Sequence, residues 1–300
     1  MILPVLFFLL LFPPFLRAEE AKLADRYFLS GDGQLRLSSA KTGESALVRY
    51  RLPDGLYPSD AQQQIDRLFN VPTGSQDHIS LRLVSFLDYL EDIYGHPIEI
   101  ISGYRSPEYN EGLRAKGRLA ARASLHIEGM AVDIRMRKVL SVEAFETIKA
   151  IQCCGVGFYG DNSLHVDTGP ARYWTQATSK VRTNISDNNK QIMVRTDQDI
   201  YLPGEKIELK LARITEYPVG LISGFAVVGD GQPPQEFSLD GKSETCLPVK
   251  EPTGRIVQWT IPEDLRIDGK VKLRLRFCDK QFPEMPDQIE SNPILIRPRS

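Results

Sequence analysis

The 300-residue sequence has room for two domains of ordinary size, each with its own core. Its hydrophobic (42%) and charged (25%) fractions are those of a soluble globular chain and exclude global disorder. A formal net charge of −2 provides no basic field, so neither nucleic acid nor an anionic membrane surface is expected as a partner.

The first eighteen residues, MILPVLFFLLLFPPFLRA, are almost wholly apolar and end at Ala18 before the acidic EEAK. The apolar run of about fourteen residues is short for a membrane span of roughly twenty and suits a secretory signal core. Residues 1–18 therefore read as a cleaved signal peptide, with membrane contact expected only during export. No Cys lies near Ala18, which argues against a lipidated N-terminus. Export permits disulfides. Cys153 and Cys154 are adjacent, and because neighbouring cysteines close a strained ring they read as small buried side chains. Cys246 and Cys278 could join two strands, and none of the four has the CxxC spacing of a structural zinc site.

After the leader, residues 26–55 read as short strands broken by Gly-Asp-Gly and Thr-Gly turns. A helix is predicted over 59–70 from Ile65, Leu68 and Phe69. A longer one over 79–94 carries Leu83, Phe86, Leu87, Leu90 and Ile93 on one face and is ended by Gly95 and Pro97. IEIISGY is a buried strand leading to a helix with Ser106 as N-cap and Pro107 in its first turn. MAVDIRM reads as a strand, 142–151 as a helix, and GVGFYG and LHVDTG as strands joined by a turn at Gly160-Asp161-Asn162. Helices early and strands later are the pattern of an α+β domain, here spanning 24–178. A polar linker is predicted at 179–190. From 191 to 300, alternating runs such as KIELKLARI, ISGFAVV and KVKLRLRFC, punctuated by Pro and Gly, predict an all-β, immunoglobulin-like sandwich.

Chemistry concentrates in the first domain. Of the four histidines, His78 precedes a helix and His96 lies in a Gly-His-Pro turn, and both have ordinary structural explanations. His126 and His165 differ, because each lies beside a strand with a carboxylate close by, Asp133 and Asp167. Two imidazoles and a carboxylate are the usual protein ligands of a catalytic zinc, with a fourth position left for water. In an extended strand His165 and Asp167 point to one face, while Gly129 permits a bend between His126 and Asp133.

Three ordered blocks, SGYRSPEYN, SLHIEGMAVDI and GVGFYGDNSLHVDTGPARYW, resemble the signatures of M15-type zinc peptidases. More narrowly they resemble the murein endopeptidase K-like subgroup of the bacterial envelope, formerly a domain of unknown function. The resemblance covers about half the chain, from Arg26 to Trp174, and leaves the C-terminal sandwich outside it. It implies a fold of the D-Ala-D-Ala peptidase or hedgehog type, with one Zn2+ per chain on His126, Asp133 and His165. Ser124, Tyr104 and Arg105 match substrate-binding positions, and Arg105 is implied to polarise the scissile carbonyl, a task suited to a fixed guanidinium.

One position departs from the wider family, whose classical members carry a Glu or Asp three residues before the last His ligand as general base. Here that residue is Asn162, which cannot accept a proton. Asp167 is the first candidate in its place, as base or as orienter of His165, and Asp161 is the second. The resemblance implies an exported enzyme of the periplasm or cell envelope. It would hydrolyse peptidoglycan stem peptides or cross-links, including the bond between two diaminopimelate residues. It implies no partner for the C-terminal domain. The competing expectation is a non-catalytic, zinc-containing peptidoglycan-binding module, which Asn162 keeps open. A purely structural envelope protein would leave the ligand set without a purpose.

Overall fold

The computed structural model describes residues 25–298 except 76, 119, 161, 182, 242 and 243. The apolar leader at 1–18 lies outside the described residues, and no described helix is long and apolar enough to cross a membrane.

The first half is an α+β domain built from β1 (Gln34–Ser39), β2 (Ser45–Arg49), α1 (Ser59–Leu68), α2 (Leu81–Tyr94), β3 (Ile98–Ser102) and α3 (Pro107–Ala115). It continues through β4 (Ala131–Met136), α4 (Ser141–Ile151), β5 (Gly155–Phe158), β6 (Leu164–Asp167) and β7 (Arg172–Thr175). The helices follow the apolar spacing. α2 buries Leu83, Phe86, Leu87 and Leu90, whereas Ile93, expected on the same face, is exposed at the last turn. Gly95 closes α2 in the left-handed conformation, which glycine adopts without a Cβ penalty. α3 starts as its sequence predicts, with the Ser106 hydroxyl accepting from Tyr109 N ahead of Pro107.

The seven strands form one sheet in the order β2-β1-β3-β4-β6-β5-β7. The β1–β3 and β5–β7 pairs are parallel and the rest antiparallel. Ile98, Ile100, Val132, Ile134 and Val166 of the central strands pack with Leu83 and Leu87 of α2 and Ile148 of α4. β7 has no clear alternation in RYWT and was not expected from the sequence; its pairing with β5 supplies the missing support.

Asp88 of α2 anchors the loop that enters the sheet. The fully buried carboxylate accepts from Gly33 N at 2.8 Å and from the Tyr50 hydroxyl at 2.7 Å. Its other oxygen is buried without a partner and faces Gly31, where a Cβ would lie 2.5 Å away. Burial pushes the Asp88 carboxyl up to about 6, against the opposing Tyr50 and Gly33 hydrogen bonds. The native state therefore binds more protons here than the unfolded chain between about pH 4 and 6, and stability falls as pH rises through that window. Asp88→Asn is expected to remove this loss, on the order of 2 kcal/mol. Urea unfolding midpoints at pH 4.5 and 7 check it, and an unchanged pH dependence in the variant would refute it.

The cysteine expectations divide. Cys246 and Cys278 are bonded across the C-terminal region, with Cα atoms 5.8 Å apart. Cys153 and Cys154, expected as unpaired small side chains, are instead bonded to each other and only partly buried. They occupy the tight turn after α4, where Gln152 takes a left-handed conformation (φ 59°) and the chain reverses into β5.

The C-terminal region is β-rich. Strands Met193–Thr196, Lys206–Ala212 and Ile256–Thr260 form a three-stranded sheet, and a separate eight-stranded sheet is organised around the long strand Lys270–Asp279. One apolar cluster, including Leu209, Trp259, Leu221, Phe225 and Leu273, takes side chains from both sheets. The run ISGFAVV, expected as a single strand, is broken at Ser223 into Val219–Ile222 and Gly224–Gly229. Both pieces pair with Lys270–Asp279, but they take Cys246–Val249 and Gln235–Ser238 respectively on their other edges. A switch of partners, invisible in local alternation, requires the break.

Within the polar segment 179–190, Asn189 is fully buried. Its side chain donates to Glu216 O at 2.8 Å and accepts from Thr215 N (2.8 Å) and Glu216 N (3.0 Å). Asn188 and Asn189 both adopt positive φ, a conformation that Asn tolerates better than most residues.

Candidate metal centre

The register of the central strands sets the site. β4 and β6 are antiparallel neighbours in which Asp133 lies opposite His165 and Ala131 opposite Asp167. On the other side of β6, Gly157 lies opposite His165 and Gly155 opposite Asp167. These glycines clear space that no other residue would leave. A Cβ on Gly155 would stand 2.3 Å from Asp167 Oδ2, and one on Gly157 would stand 2.5 Å from the Trp174 indole. Gly155→Ala is thus expected to displace the Asp167 carboxylate and cost about 1–3 kcal/mol by overpacking, readable as a lowered thermal midpoint. A midpoint equal to the wild type would contradict this packing.

His126 comes from the loop between α3 and β4. Gly129, at φ +67°, turns that loop so closely past His78 that a Cβ would lie 2.2 Å from the His78 carbonyl oxygen. Ile127 N donates to Ser124 O (3.1 Å), Met130 N to Leu125 O (2.9 Å) and Arg105 N to His126 O (3.3 Å). The turn brings the His126 ring, 1% exposed, against β4 and β6.

The hydrogen bonds identify which ring nitrogens face inward. His126 Nδ1 lies 2.7 Å from Gly103 O, and a carbonyl only accepts, so Nδ1 carries the hydrogen. His165 Nε2 lies 2.9 Å from Asp167 Oδ2 and donates to that carboxylate. The lone pairs of His126 Nε2 and His165 Nδ1 are therefore directed at one point, together with Asp133 Oδ1. These three atoms are separated by 3.2 Å (His126–His165), 3.1 Å (His165–Asp133) and 3.4 Å (His126–Asp133). Donor atoms bonded to a tetrahedral ion at about 2.0–2.1 Å stand roughly 3.3 Å apart, so this spacing fits a single small cation. Burial lowers the His165 pKa, but its bonds to Asp133 and Asp167 outweigh that and raise it, whereas burial holds the His126 pKa below its ordinary value despite Asp133. Burial alone would raise the Asp133 carboxyl, and the two imidazoles instead hold it well below the usual range.

Arg105 and Asp167 hold these ligands from behind. Arg105 donates through Nη2 to Asp133 Oδ2 and through Nε to Ser102 Oγ at 3.1 Å, leaving Asp133 Oδ1 for the cluster. Asp167 is completely buried. Its Oδ1 accepts from Gly169 N (2.8 Å) and Arg172 Nη1 (3.0 Å), and its Oδ2 accepts from His165 Nε2 (2.9 Å) and Arg172 Nη2 (2.6 Å). Those four bonds fill the acceptor sites of a carboxylate. Burial would raise its pKa, yet the Arg172 charge and the His165 bond hold it below the ordinary carboxylate range.

Ser124 is buried in the His126 loop. Tyr104 donates its backbone N–H to Phe69 O (2.8 Å). Burial raises its phenol, with Asp77, Ser75 and Arg255 also acting on it. Asp161 lies outside the described residues.

Three contributors escaped the sequence reading. Trp174 places its ring 5.1 Å from that of His165, and Arg172 lies over Trp174 at 5.3 Å. Tyr159 follows β5, and burial pushes its phenol up to about 12, with Asp133 the next cause and Trp174, Arg105 and Asp167 also acting on it. A period-two pattern through Gly155, Gly157 and Tyr159 in GVGFYG was the available clue.

An α+β domain that turns two imidazole nitrogens and a carboxylate oxygen onto one point has a cluster able to hold a metal ion. The family model described as peptidoglycan L,D-endopeptidase MepK, within the M15 peptidases, matches residues 30–174, and the chain belongs to this family. The peptidoglycan L,D-endopeptidase MepK of Escherichia coli strain K12 is 39% identical over 145 residues, covering 47% of this chain and 79% of that protein. MepK of Shigella flexneri matches to the same extent. The probable MepK of Haemophilus influenzae is 41% identical over 78 residues, 26% of this chain and 42% of that protein. The β-rich C-terminal region lies beyond the family match.

Proposed function

We propose that this chain is an exported, zinc-dependent peptidase that hydrolyses amide bonds of peptidoglycan peptides, with cross-links as the favoured substrate. The observation that carries the reading is the convergence of His126 Nε2, His165 Nδ1 and Asp133 Oδ1, each ligand held from behind by a hydrogen bond, within a domain of the MepK family. One zinc per chain on those three atoms would supply a Lewis acid that lowers the pKa of water towards about 7 and polarises a carbonyl. Arg105 spends part of its donor set on Asp133 and Ser102. Its remaining N–H groups are the ones we assign to the scissile carbonyl, beside Ser124. Asp167, with its acceptor sites filled, we assign to orienting His165 rather than to proton transfer. That leaves Asp161 as the carboxylate to test as base. The apolar leader supports export to the bacterial periplasm or envelope. We read the C-terminal region as an immunoglobulin-like sandwich over 191–300, on the core shared by its two sheets, following a peptidase domain at 24–178 and a linker at 179–190.

Incubation of the exported form with purified sacculi, with and without a chelator, tests the reading. Chelator-sensitive loss of cross-linked muropeptides is expected. An unchanged muropeptide profile from protein carrying stoichiometric zinc would favour the binding module instead.

A further inference from the structure

The β-rich region lies outside the family match, yet it grips the loop that carries His126 and the residue that follows β6, the strand of His165. Four of its cationic side chains reach across. Arg213 Nε donates to Ala123 O at 3.2 Å, and Lys210 Nζ donates to Glu128 O at 2.9 Å, at the two ends of the loop that carries His126. Arg195 Nε donates to Thr168 O at 3.0 Å, one residue beyond Asp167. Arg255 forms ion pairs with Glu128, at 2.8 Å from Oε2, and with Asp77. Beneath these charges, Leu125, Met130 and Ala131 of the peptidase domain pack with Met193 and Ala212 of the β-rich region.

Glu128 is the centre of this contact. It is buried at 8% exposure, two residues after His126, and its side chain turns to the β-rich region while the His126 ring turns to the metal cluster. Its Oε2 also lies 3.6 Å from Lys210 Nζ, and Oε1 accepts from Arg213 N at 3.4 Å. Buried ion pairs add little net stability over apolar packing of the same volume. What they add here is position: Oε2 makes no hydrogen bond but is enclosed by the Arg255 and Lys210 charges. The Lys210 ammonium donates to the Glu128 carbonyl and fixes the loop backbone. A ligand-bearing loop held in its binding conformation loses less freedom when the metal arrives.

We propose that the β-rich region is a built-in part of the metal site, and that Glu128, gripped by Arg255 and Lys210, is a positioning residue for the loop that presents His126. The inference rests on the metal-site reading above. Its test uses the full chain and reads zinc affinity by competition with a chromophoric chelator at pH 7, alongside the thermal midpoint of the metal-free protein. Glu128→Gln and Arg255→Met are each expected to weaken zinc binding about 10- to 100-fold, the range seen when outer-shell partners of metal ligands are removed. Arg255→Lys is expected to restore most of the loss. Arg274→Met, which breaks the Arg274–Glu290 pair inside the β-rich region, is expected to leave affinity unchanged. Should a buried variant fail to fold, Lys210→Met, which touches the same loop from a partly exposed position, reports in its place. Wild-type zinc affinity in a folded Glu128→Gln or Lys210→Met chain overturns the proposal. A wild-type chain that binds no zinc overturns the metal-site reading itself, and the positioning role with it.

Discussion

Replacing His126 by Ala is expected to abolish zinc binding and to reduce muropeptide hydrolysis by at least about a thousandfold, since the Lewis acid carries most of the charge stabilisation in such sites. The ring is 1% exposed and supplies one of three inward donor atoms. Arg105 is a cation and Asp167 is already fully bonded, so neither neighbour can take its place. The variant also strands Gly103 O, the acceptor of the His126 Nδ1 hydrogen. A buried carbonyl left unpaired costs about 1–3 kcal/mol, so the metal-free variant is expected to be somewhat less stable but folded. Metal analysis by mass spectrometry and product profiling from sacculi read the two effects separately. Turnover persisting in a zinc-free His126→Ala protein would end the metallopeptidase reading.

Asp167 gives the second large effect, and its direction separates two roles. As an orienter it keeps the hydrogen on His165 Nε2, so that Nδ1 presents a lone pair inward. In Asp167→Asn, one oxygen becomes an N–H2 donor. Placed toward Arg172 or Gly169 it meets donors; placed toward His165 it drives that hydrogen to Nδ1 and removes the metal ligand. Zinc affinity is therefore expected to fall about 10- to 100-fold, with activity restored in part by excess zinc. Were Asp167 the base, the same variant would hold zinc normally and lose kcat alone.

Asp167→Ala goes further by leaving Arg172 without its bidentate partner. Loss of one member of a buried pair costs about 3–5 kcal/mol, and the partial exposure of Arg172 puts the expectation near the lower end. The folded-state carboxyl is held below its usual value. Its contribution is therefore present above the unfolded carboxylate pKa of about 3.9 and is lost as pH falls through the lower folded value. Acid unfolding of the Ala variant is accordingly expected to be shallower below pH 4.

Much of this was legible in the chain. Apolar spacing placed α1, α2 and α4, and Ser106-Pro107 marked the start of α3, because those features depend on neighbours within a turn or two. His126, Asp133 and His165 stood out as the unusual polar residues beside apolar strands, and the glycine between the first two marked the bend. Other features depend on partners far away in sequence. The register that sets Asp133 opposite His165, the glycines on β5 that make room for Asp167 and Trp174, and the tautomer of each imidazole are all set by cross-strand contacts. β7 exists because β5 offers it an edge, and ISGFAVV breaks because its halves have different partners. Cys153 and Cys154 are bonded to each other although their adjacency alone pointed to two small unpaired side chains.

By itself, then, the sequence determined which residues had the chemistry to hold a metal and most of the segments that form the helices and strands around them, since residue type and short-range periodicity carry that information. Only the tertiary structure decided which nitrogen faces inward, that Asp167 has no acceptor site to spare, and that the C-terminal region grips the His126 loop through Glu128. Those outcomes depend on atoms brought together from β4, β6, β7 and a second region of the chain, and no local pattern encodes where those atoms meet.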